Sequence, residues 1–163
     1  MKIEKHLIQD TNEVVELDSL KASELRRFSL KPCEEPAGLA LDAEHHRAFS
    51  SCHNKTMTIL DTTTGKVIAT VPIGERVDGT GLAFSANGDG TLTVARETSP
   101  GNFEVTATVS TQLGSRTMAI DPITHYIYLP AAQFSRAKEP TPEGSRQRPV
   151  MARDSFEVLA VGK

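Results

Sequence analysis

The sequence predicts an all-β fold, a partial β-propeller of about three to four antiparallel four-stranded blades, and three observations lead to this prediction. Short runs of β-forming residues recur between turn signals along the whole chain. Aromatic residues make up only 5% of the composition and tryptophan is absent, a composition that suits many thin strands better than thick helices. Related segments also repeat at an interval of about 40 residues, which is the length of one four-stranded blade.

The predicted strands are about four to eight residues long and are separated by turn-forming segments such as DAEHH, TTTGK, SPGN and DPITH. Only residues 17–27 have helical potential, and their short length favours a strand, a turn and a second strand instead. In chain order the strand runs are EVVELD (13–18), RRFSL (26–30), AGLALD (37–42), RAFSS (47–51), MTILD (57–61), VIATVPIG (67–74), LAFSA (82–86), TLTVA (91–95), FEVTATV (103–109), RTMAID (116–121), YIYLP (126–130) and FEVLAVG (156–162).

An internal repeat relates these strands to one another. The segment AFSSCHNKTMTI (48–59) aligns with AFSANGDGTLTV (83–94), and GLALD (38–42) aligns with TMAID (117–121). The repeating unit is therefore four strands joined by turns. A helical solenoid of similar period requires apolar residues at 3.6-residue spacing, which the sequence lacks.

Several of these segments resemble a known family. CEEPAGLALD, SCHNKTMTILDTTTGKVIATVPIGERVDG, AFSANGDGTLTV, TMAIDPITHYIYLPAAQF and SFEVLAVGK are similar to the C-terminal half of bacterial YncE-like β-propellers built from YVTN-type repeats. The resemblance covers residues 13–163 and leaves 1–12 as an N-terminal extension. It implies a seven-bladed ring about twice as long as this chain, exported to the periplasm or the cell exterior.

Two features depart from that family pattern. The chain holds only about three to three and a half blades, so open strand edges are expected, and self-association that completes the ring would cover them. In addition, RVDGTGLAF (76–84) runs directly from an inter-blade loop into the second strand of a blade. The innermost strand of that blade is therefore expected to be missing or compressed into residues 79–81.

Composition and charge narrow the choice of partners. The net charge of −3 gives no overall attraction to a polyanion, so nucleic acid is not an expected partner. The chain has no apolar run long enough to span a bilayer, and its first residues lack the apolar segment of a signal peptide. A soluble chain without membrane contact is expected.

The candidate ligand-binding residues lie in loops at one end of the predicted blades. Loops between blades and loops between the second and third strands emerge on the same face, where propellers usually bind ligands at the channel mouth. Charged groups from successive loops there are able to converge on an anion, although ion pairs between blades explain them equally well. The candidates are Glu34, Glu35, His53, Asn54, Arg76, Asp78 and Arg116.

The two cysteines, Cys33 and Cys52, are expected at the same end of a strand pair. This placement is compatible with a disulfide between the two cysteines and equally with two buried free thiols. A metal site formed by both cysteines and His53 has only three ligands and is disfavoured. The sequence contains no GxSxG, HExxH or Walker-type motif, and it predicts no cofactor.

The Asn87-Gly88-Asp89-Gly90 segment has three alternative interpretations. A calcium loop needs more acidic ligands, and a phosphate loop needs a following helix. A turn between two strands fits best, with both glycines at positive φ.

The function predicted from these features is a non-catalytic propeller module whose loops bind a protein or a small ligand. An alternative is a lactonase-like or quinoprotein-like propeller enzyme with its site at the channel mouth. A weaker alternative is nucleic-acid binding through the long, Pro- and Arg-rich loop at 130–155, which lacks the interleaved aromatic residues of a stacking platform. Its basic residues are Arg136, Lys138, Arg146, Arg148 and Arg153.

Overall fold

The computed structural model describes residues 2–81, 83–135 and 149–162, with the side chains of 78–81 outside the description. All regular elements in these ranges are β-strands, arranged as four antiparallel sheets and one small ribbon. Sheet I contains β1 (Ile3–Ile8), β2 (Glu13–Asp18) and β3 (Ser23–Ser29), and sheet II contains β4 (Pro36–Asp42), β5 (Arg47–Cys52), β6 (Thr56–Asp61) and β7 (Lys66–Pro72). Sheet III contains β8 (Val77–Gly81), β9 (Phe84–Asn87), β10 (Thr91–Ser99) and β11 (Asn102–Ser110).

Sheet IV completes the series and carries an insertion. It is built from β12 (Ala119–Ile120), β13 (Ile127–Ala131) and β16 (Glu157–Val161). Between β13 and β16 the chain forms a ribbon of β14 (Phe134–Ser135) and β15 (Val150–Met151), so two short segments near the ends of the predicted loop at 130–155 form one strand pair. Residues 136–148, which include four of the five basic residues noted in that loop, lie outside the described residues.

The sheets stack face to face, and each contact between neighbouring sheets has its own apolar cluster. Alternation along β5 explains the arrangement, because Ala48 packs towards sheet I while Phe49 packs towards sheet III. A third cluster joins Leu92 of sheet III to Leu129 of sheet IV. Burial on both faces is therefore the reason that the strands of sheet II contain so few exposed residues.

The β6–β7 turn of sheet II and the β12–β13 turn of sheet IV share one side-chain pattern. The carboxylate of Asp61 accepts hydrogen bonds from the backbone N–H groups of Thr63 and Thr64. Asp121 accepts the equivalent bonds from Ile123 and Thr124. Aspartate at the first position of such turns caps the chain reversal locally, which is why these turns could be recognised in the sequence.

Two sequence predictions in this region have clear outcomes. Residues 17–27 form the end of β2, a turn and β3, as predicted. The innermost strand of sheet III is present as the short strand β8, which pairs with β9 through Gly79↔Ala86 and Thr80↔Ser85. Of the two predicted alternatives, absence of the strand is wrong, and a short strand that includes residues 79–81 is what the structure contains. Backbone N–H and C=O groups pair without side chains, and a glycine-rich strand therefore escapes detection by apolar alternation.

The segment 1–12, placed before the repeat by the sequence analysis, contributes β1 to sheet I. β1 pairs with β2 over six residue pairs, from Ile3↔Asp18 to Ile8↔Glu13. None of the described residues belongs to a helix that is long and apolar enough to cross a membrane.

Candidate functional site

Three loops from successive sheets meet at one end of the stack and form an open cavity, here called the mouth. They are the β5–β6 turn, the β7–β8 loop and the β11–β12 loop. A cavity of about 360 Å³ at this point is lined by His53, Lys55, Glu75, Arg76 and Arg116. Its volume lies within the range of small-molecule sites, roughly 300–1,000 Å³.

The β5–β6 turn is held by the loop that precedes β4. The Nδ1 atom of His53 lies 3.0 Å from the Glu35 carboxylate, and the His53 backbone N–H donates to the Glu34 carbonyl at 3.0 Å. The backbone N–H of Glu35 donates to the Asn12 side chain in the β1–β2 turn of sheet I. Together these bonds fix the position of the imidazole at the mouth.

Lys55 and Glu75 form an ion pair that joins the first two loops. The hydrogen bond between them lowers the pKa of Glu75 and raises the pKa of Lys55. Both groups are solvent-exposed, so the pair contributes little to stability. Its effect at the mouth is to neutralise the Lys55 charge, and the arginines that line the same cavity are Arg76 and Arg116.

Arg76 occupies an unusual backbone conformation that the neighbouring turn supports. Its φ angle is 56°, in the left-handed region that non-glycine residues rarely adopt. The Arg76 carbonyl accepts a hydrogen bond from the Gly88 N–H at 3.1 Å. A Cβ atom at Gly88 would lie only 2.8 Å from that carbonyl oxygen, so the close approach requires glycine.

A chain of hydrogen-bonded polar side chains, buried or half-buried, leads from the interior to the β7–β8 loop that carries Arg76. The amide of Asn87 donates to the hydroxyls of Thr91 and Thr93, each at 3.0 Å, and accepts from the Ser85 hydroxyl at 2.9 Å. The Thr91 hydroxyl donates to Asp89, whose carboxylate also accepts from the Glu75 N–H at 2.8 Å. Burial opposes ionisation of Asp89, but these hydrogen bonds outweigh it and lower its pKa.

The interpretation of Asn87-Gly88-Asp89-Gly90 as a turn between strands is confirmed, because these residues connect β9 to β10. Gly90 has a positive φ of 88°, as predicted. The prediction for Gly88 is wrong: Gly88 is not among the positive-φ residues, and close packing against Arg76 is its structural requirement.

The cysteines lie just beneath the mouth. Cys33 and Cys52 form a disulfide with a Cα–Cα distance of 5.5 Å, and both residues are buried. Their sulfur atoms are therefore not thiolate ligands, which is inconsistent with the metal site considered for them with His53. Asn54 stands beside this bridge and donates to the Pro32 carbonyl at 2.8 Å, so it holds the loop before β4.

The structure brings together only part of the predicted site. His53, Arg76 and Arg116 line the same cavity, and Glu35 joins them through His53. Glu34 is exposed and contributes its carbonyl, whereas Asn54 has the structural role described above. Asp78 belongs to β8, and its side chain lies outside the description.

Four residues near the mouth were not among the predicted ligand-binding residues: Lys55 and Glu75 line the mouth itself, and Phe134 and Pro149 line an adjoining cavity. Lys55 and Glu75 lie within two residues of chosen candidates, so their loop positions were a usable signal. Phe134 and Pro149 flank the inserted segment, and no repeat position corresponds to them. Their approach to the mouth depends on the β14–β15 ribbon.

Stacked antiparallel sheets with polar loops at one end define the class: the fold is part of a β-propeller. It resembles Kuenenia stuttgartiensis hydrazine synthase with a TM-score of 0.68 and 13% identity, over 93% of this chain and 44% of that one. It also resembles U3-55K with a TM-score of 0.64 and 14% identity, over 80% of this chain and 40% of that one. Both proteins contain β-propellers, and this chain spans less than half the length of either chain.

No family model matches the sequence, and no curated protein matches it. The likeness to the two solved structures therefore extends to the fold alone.

Proposed function

We propose that this chain is a non-catalytic, YncE-like propeller module that binds a small anionic ligand at the mouth. One observation carries the proposal: loops from three successive sheets bring His53, Arg76 and Arg116 to a single open cavity. Guanidinium groups bind carboxylates and phosphates through paired, charge-assisted hydrogen bonds.

The charges around the cavity support an anionic ligand. Glu75 is paired with Lys55, and Glu35 lies beside His53, so both acidic groups already have partners within the protein. Arg76 and Arg116 come from equivalent loops of neighbouring sheets, and both line the cavity. An anion between them would contact two cations without separating either acidic group from its own partner.

The first test is titration of the ¹⁵N-labelled chain with inorganic phosphate and with citrate, followed by amide chemical shifts. We expect shifts concentrated in the three mouth loops. Arg76→Ala and Arg116→Ala should each weaken binding by roughly 10- to 100-fold, because a hydrogen bond to a charged group contributes about 1.5–3 kcal/mol.

Arg96→Ala is the matched control for these variants, since Arg96 is an exposed arginine in β10, opposite Glu104 and away from the mouth loops. It should bind both anions as the unaltered chain does. Scattered shifts, or equal losses in all three variants, would show that the anions bind non-specifically and would contradict the proposal.

We further propose that the chain self-associates through the outer face of sheet IV. Tyr128 and Val158 point away from the cluster formed by Ile127 and Leu129, and Val158 is 55% exposed. Among the described strands, β16 pairs only with β13, so one of its edges is open. Open edges beside an apolar face favour association.

Val158→Lys tests this association. Light scattering should give a mass above the 17.7 kDa of one chain for the unaltered protein, and a mass near one chain for the variant. The substitution places a charge on an exposed face, so the melting temperature of the variant monomer should show that it remains folded. A folded, monomeric unaltered chain at high concentration would disprove the association.

A further inference from the structure

Beyond the two arginines, the mouth continues into a region with an apolar wall. A cavity of about 570 Å³ is lined by Arg76, Arg116, Phe134 and Pro149, together with the backbone of Gly88 and Gly114. An adjoining cavity of about 440 Å³ shares Arg76 and Phe134 and adds Leu113. The lining of this region thus combines two arginines with one aromatic and several aliphatic residues, together with Gln112 and Gln133.

The ionisable residues that line these two cavities differ from those that line the 360 Å³ cavity at the mouth. Among the described residues that line the two cavities, the ionisable side chains are those of Arg76 and Arg116. Two acidic groups of the neighbouring loops have partners within the protein, since Glu75 binds Lys55 and Asp89 accepts from Thr91 and from the Glu75 backbone. The charged groups that a ligand in this region would contact among these lining residues are therefore the two guanidinium groups.

Phe134 lines both cavities and is poorly covered by the protein. It exposes 59% of its surface, and its direct partner in the ribbon, Met151, exposes 50%. Directly opposed residues in an antiparallel pair share one face, so these two side chains form one apolar surface. Covering such a surface is favourable in proportion to the apolar area removed from water.

The region is larger than an inorganic anion requires. A volume of about 570 Å³ has room for on the order of twenty water molecules at about 30 Å³ each. Phosphate at the arginines would leave the Phe134 side filled with water. A molecule that carries both an anionic group and a ring would contact the two sides at once.

We propose that this region binds a small organic carboxylate bearing an aromatic ring, with the carboxylate at Arg76 and Arg116 and the ring against Phe134. This inference rests on the proposed function and adds the chemical class of the ligand. The carboxylate accepts hydrogen bonds from the guanidinium groups. The ring packs on Phe134 in an offset or edge-on arrangement, as aromatic pairs prefer.

The probes separate the two halves of the ligand. Calorimetric or NMR titration of the full chain uses 3-phenylpropionate, with acetate as the carboxylate lacking a ring and 3-phenylpropan-1-ol as the ring lacking a charge. We expect 3-phenylpropionate to bind at least about tenfold more tightly than either partial probe, because burial of an aromatic side chain and pairing of a charge each contribute a factor of that order.

Phe134→Ala should weaken 3-phenylpropionate binding about tenfold and leave the affinity for acetate and phosphate unchanged. Phe156→Ala is the matched control, because Phe156 is also an exposed phenylalanine, at 61%, and lies outside the two cavities. Both substitutions remove exposed side chains, so both variants should keep the melting temperature of the unaltered chain.

The outcomes distinguish this inference from the function on which it rests. Arginine-dependent phosphate binding, combined with equal binding of 3-phenylpropionate and acetate or no effect of Phe134→Ala, would overturn the aromatic specificity and retain the anion site. Loss of all anion binding to the mouth would overturn both. Equal weakening by Phe134→Ala and Phe156→Ala would show that the ring binds exposed apolar surface without selectivity, and would also overturn the inference.

Discussion

Replacement of Asn87 by alanine is expected to lower the free energy of unfolding by about 2–4 kcal/mol, a large effect for one residue. Asn87 is completely buried, and its amide is bonded to the hydroxyls of Ser85, Thr91 and Thr93. Ser85 in turn is bonded to Ser51 of sheet II at 3.1 Å. Alanine would leave the buried Ser85 and Thr93 hydroxyls and the half-buried Thr91 hydroxyl without their shared partner, and the cost of unsatisfied buried groups exceeds the value of the bonds themselves.

The measurement is equilibrium unfolding in urea, with Asn102→Ala as the matched control. Asn102 is exposed at the start of β11 and donates to the Ser99 hydroxyl at 2.7 Å. Its replacement should cost less than about 0.5 kcal/mol, as is usual for exposed positions. Equal losses in the two variants would show that the buried network contributes nothing beyond an ordinary surface hydrogen bond.

Loss of Asn87 should also be detectable at the mouth. The network continues through Thr91 and Asp89 to the backbone of Glu75, the residue before Arg76. Amide hydrogen exchange in the β7–β8 loop should therefore accelerate in Asn87→Ala, whereas exchange in the β2–β3 turn should stay unchanged. Uniform acceleration in both places would point to global destabilisation without a specific connection to the loop.

The sequence predicted the sheets because their signals are local. Short runs of β-forming residues, as in β5 and β6, and aspartate or glycine at the turns fix strand positions without reference to distant contacts. β8 failed this test because Val77–Gly81 contains two glycines and one apolar side chain, and its pairing depends on the backbone of β9. β8 forms because its backbone pairs with that of β9, and a pattern read from the residues of β8 alone does not reveal this pairing.

Polar residues between the sheets were equally hard to predict. Asparagine is common in turns, so the sequence indicated only a turn position for Asn87. The stacking of sheets II and III nevertheless buries its side chain beside Ser85. At the mouth, Arg76 and Arg116 were found because they occupy equivalent loops of successive repeats. Phe134 was not found, because the ribbon that carries it is an insertion without a counterpart in the neighbouring sheets.

Removal of the Cys33–Cys52 disulfide is expected to lower the free energy of unfolding by about 3 kcal/mol. The bridge closes a loop with a sequence separation of 19, and constraining the unfolded chain over such a loop stabilises the folded state by about that amount. Cys33 and Cys52 also pack in the cluster between sheets I and II, where alanine would leave small voids.

Urea unfolding of Cys33→Ala/Cys52→Ala should therefore give a lower midpoint than the oxidised chain, and the unaltered chain under reducing conditions serves as the control that keeps both sulfur atoms. Reduction alone should account for most of the loss, because the cross-link constrains the unfolded state and the thiols still fill the cluster. The loop before β4 would lose its covalent tie to β5, so the 3.0 Å contact between Glu35 and His53 should become more dynamic. An unchanged midpoint after complete reduction would show that packing of the cluster, and not the cross-link, stabilises this end of the molecule.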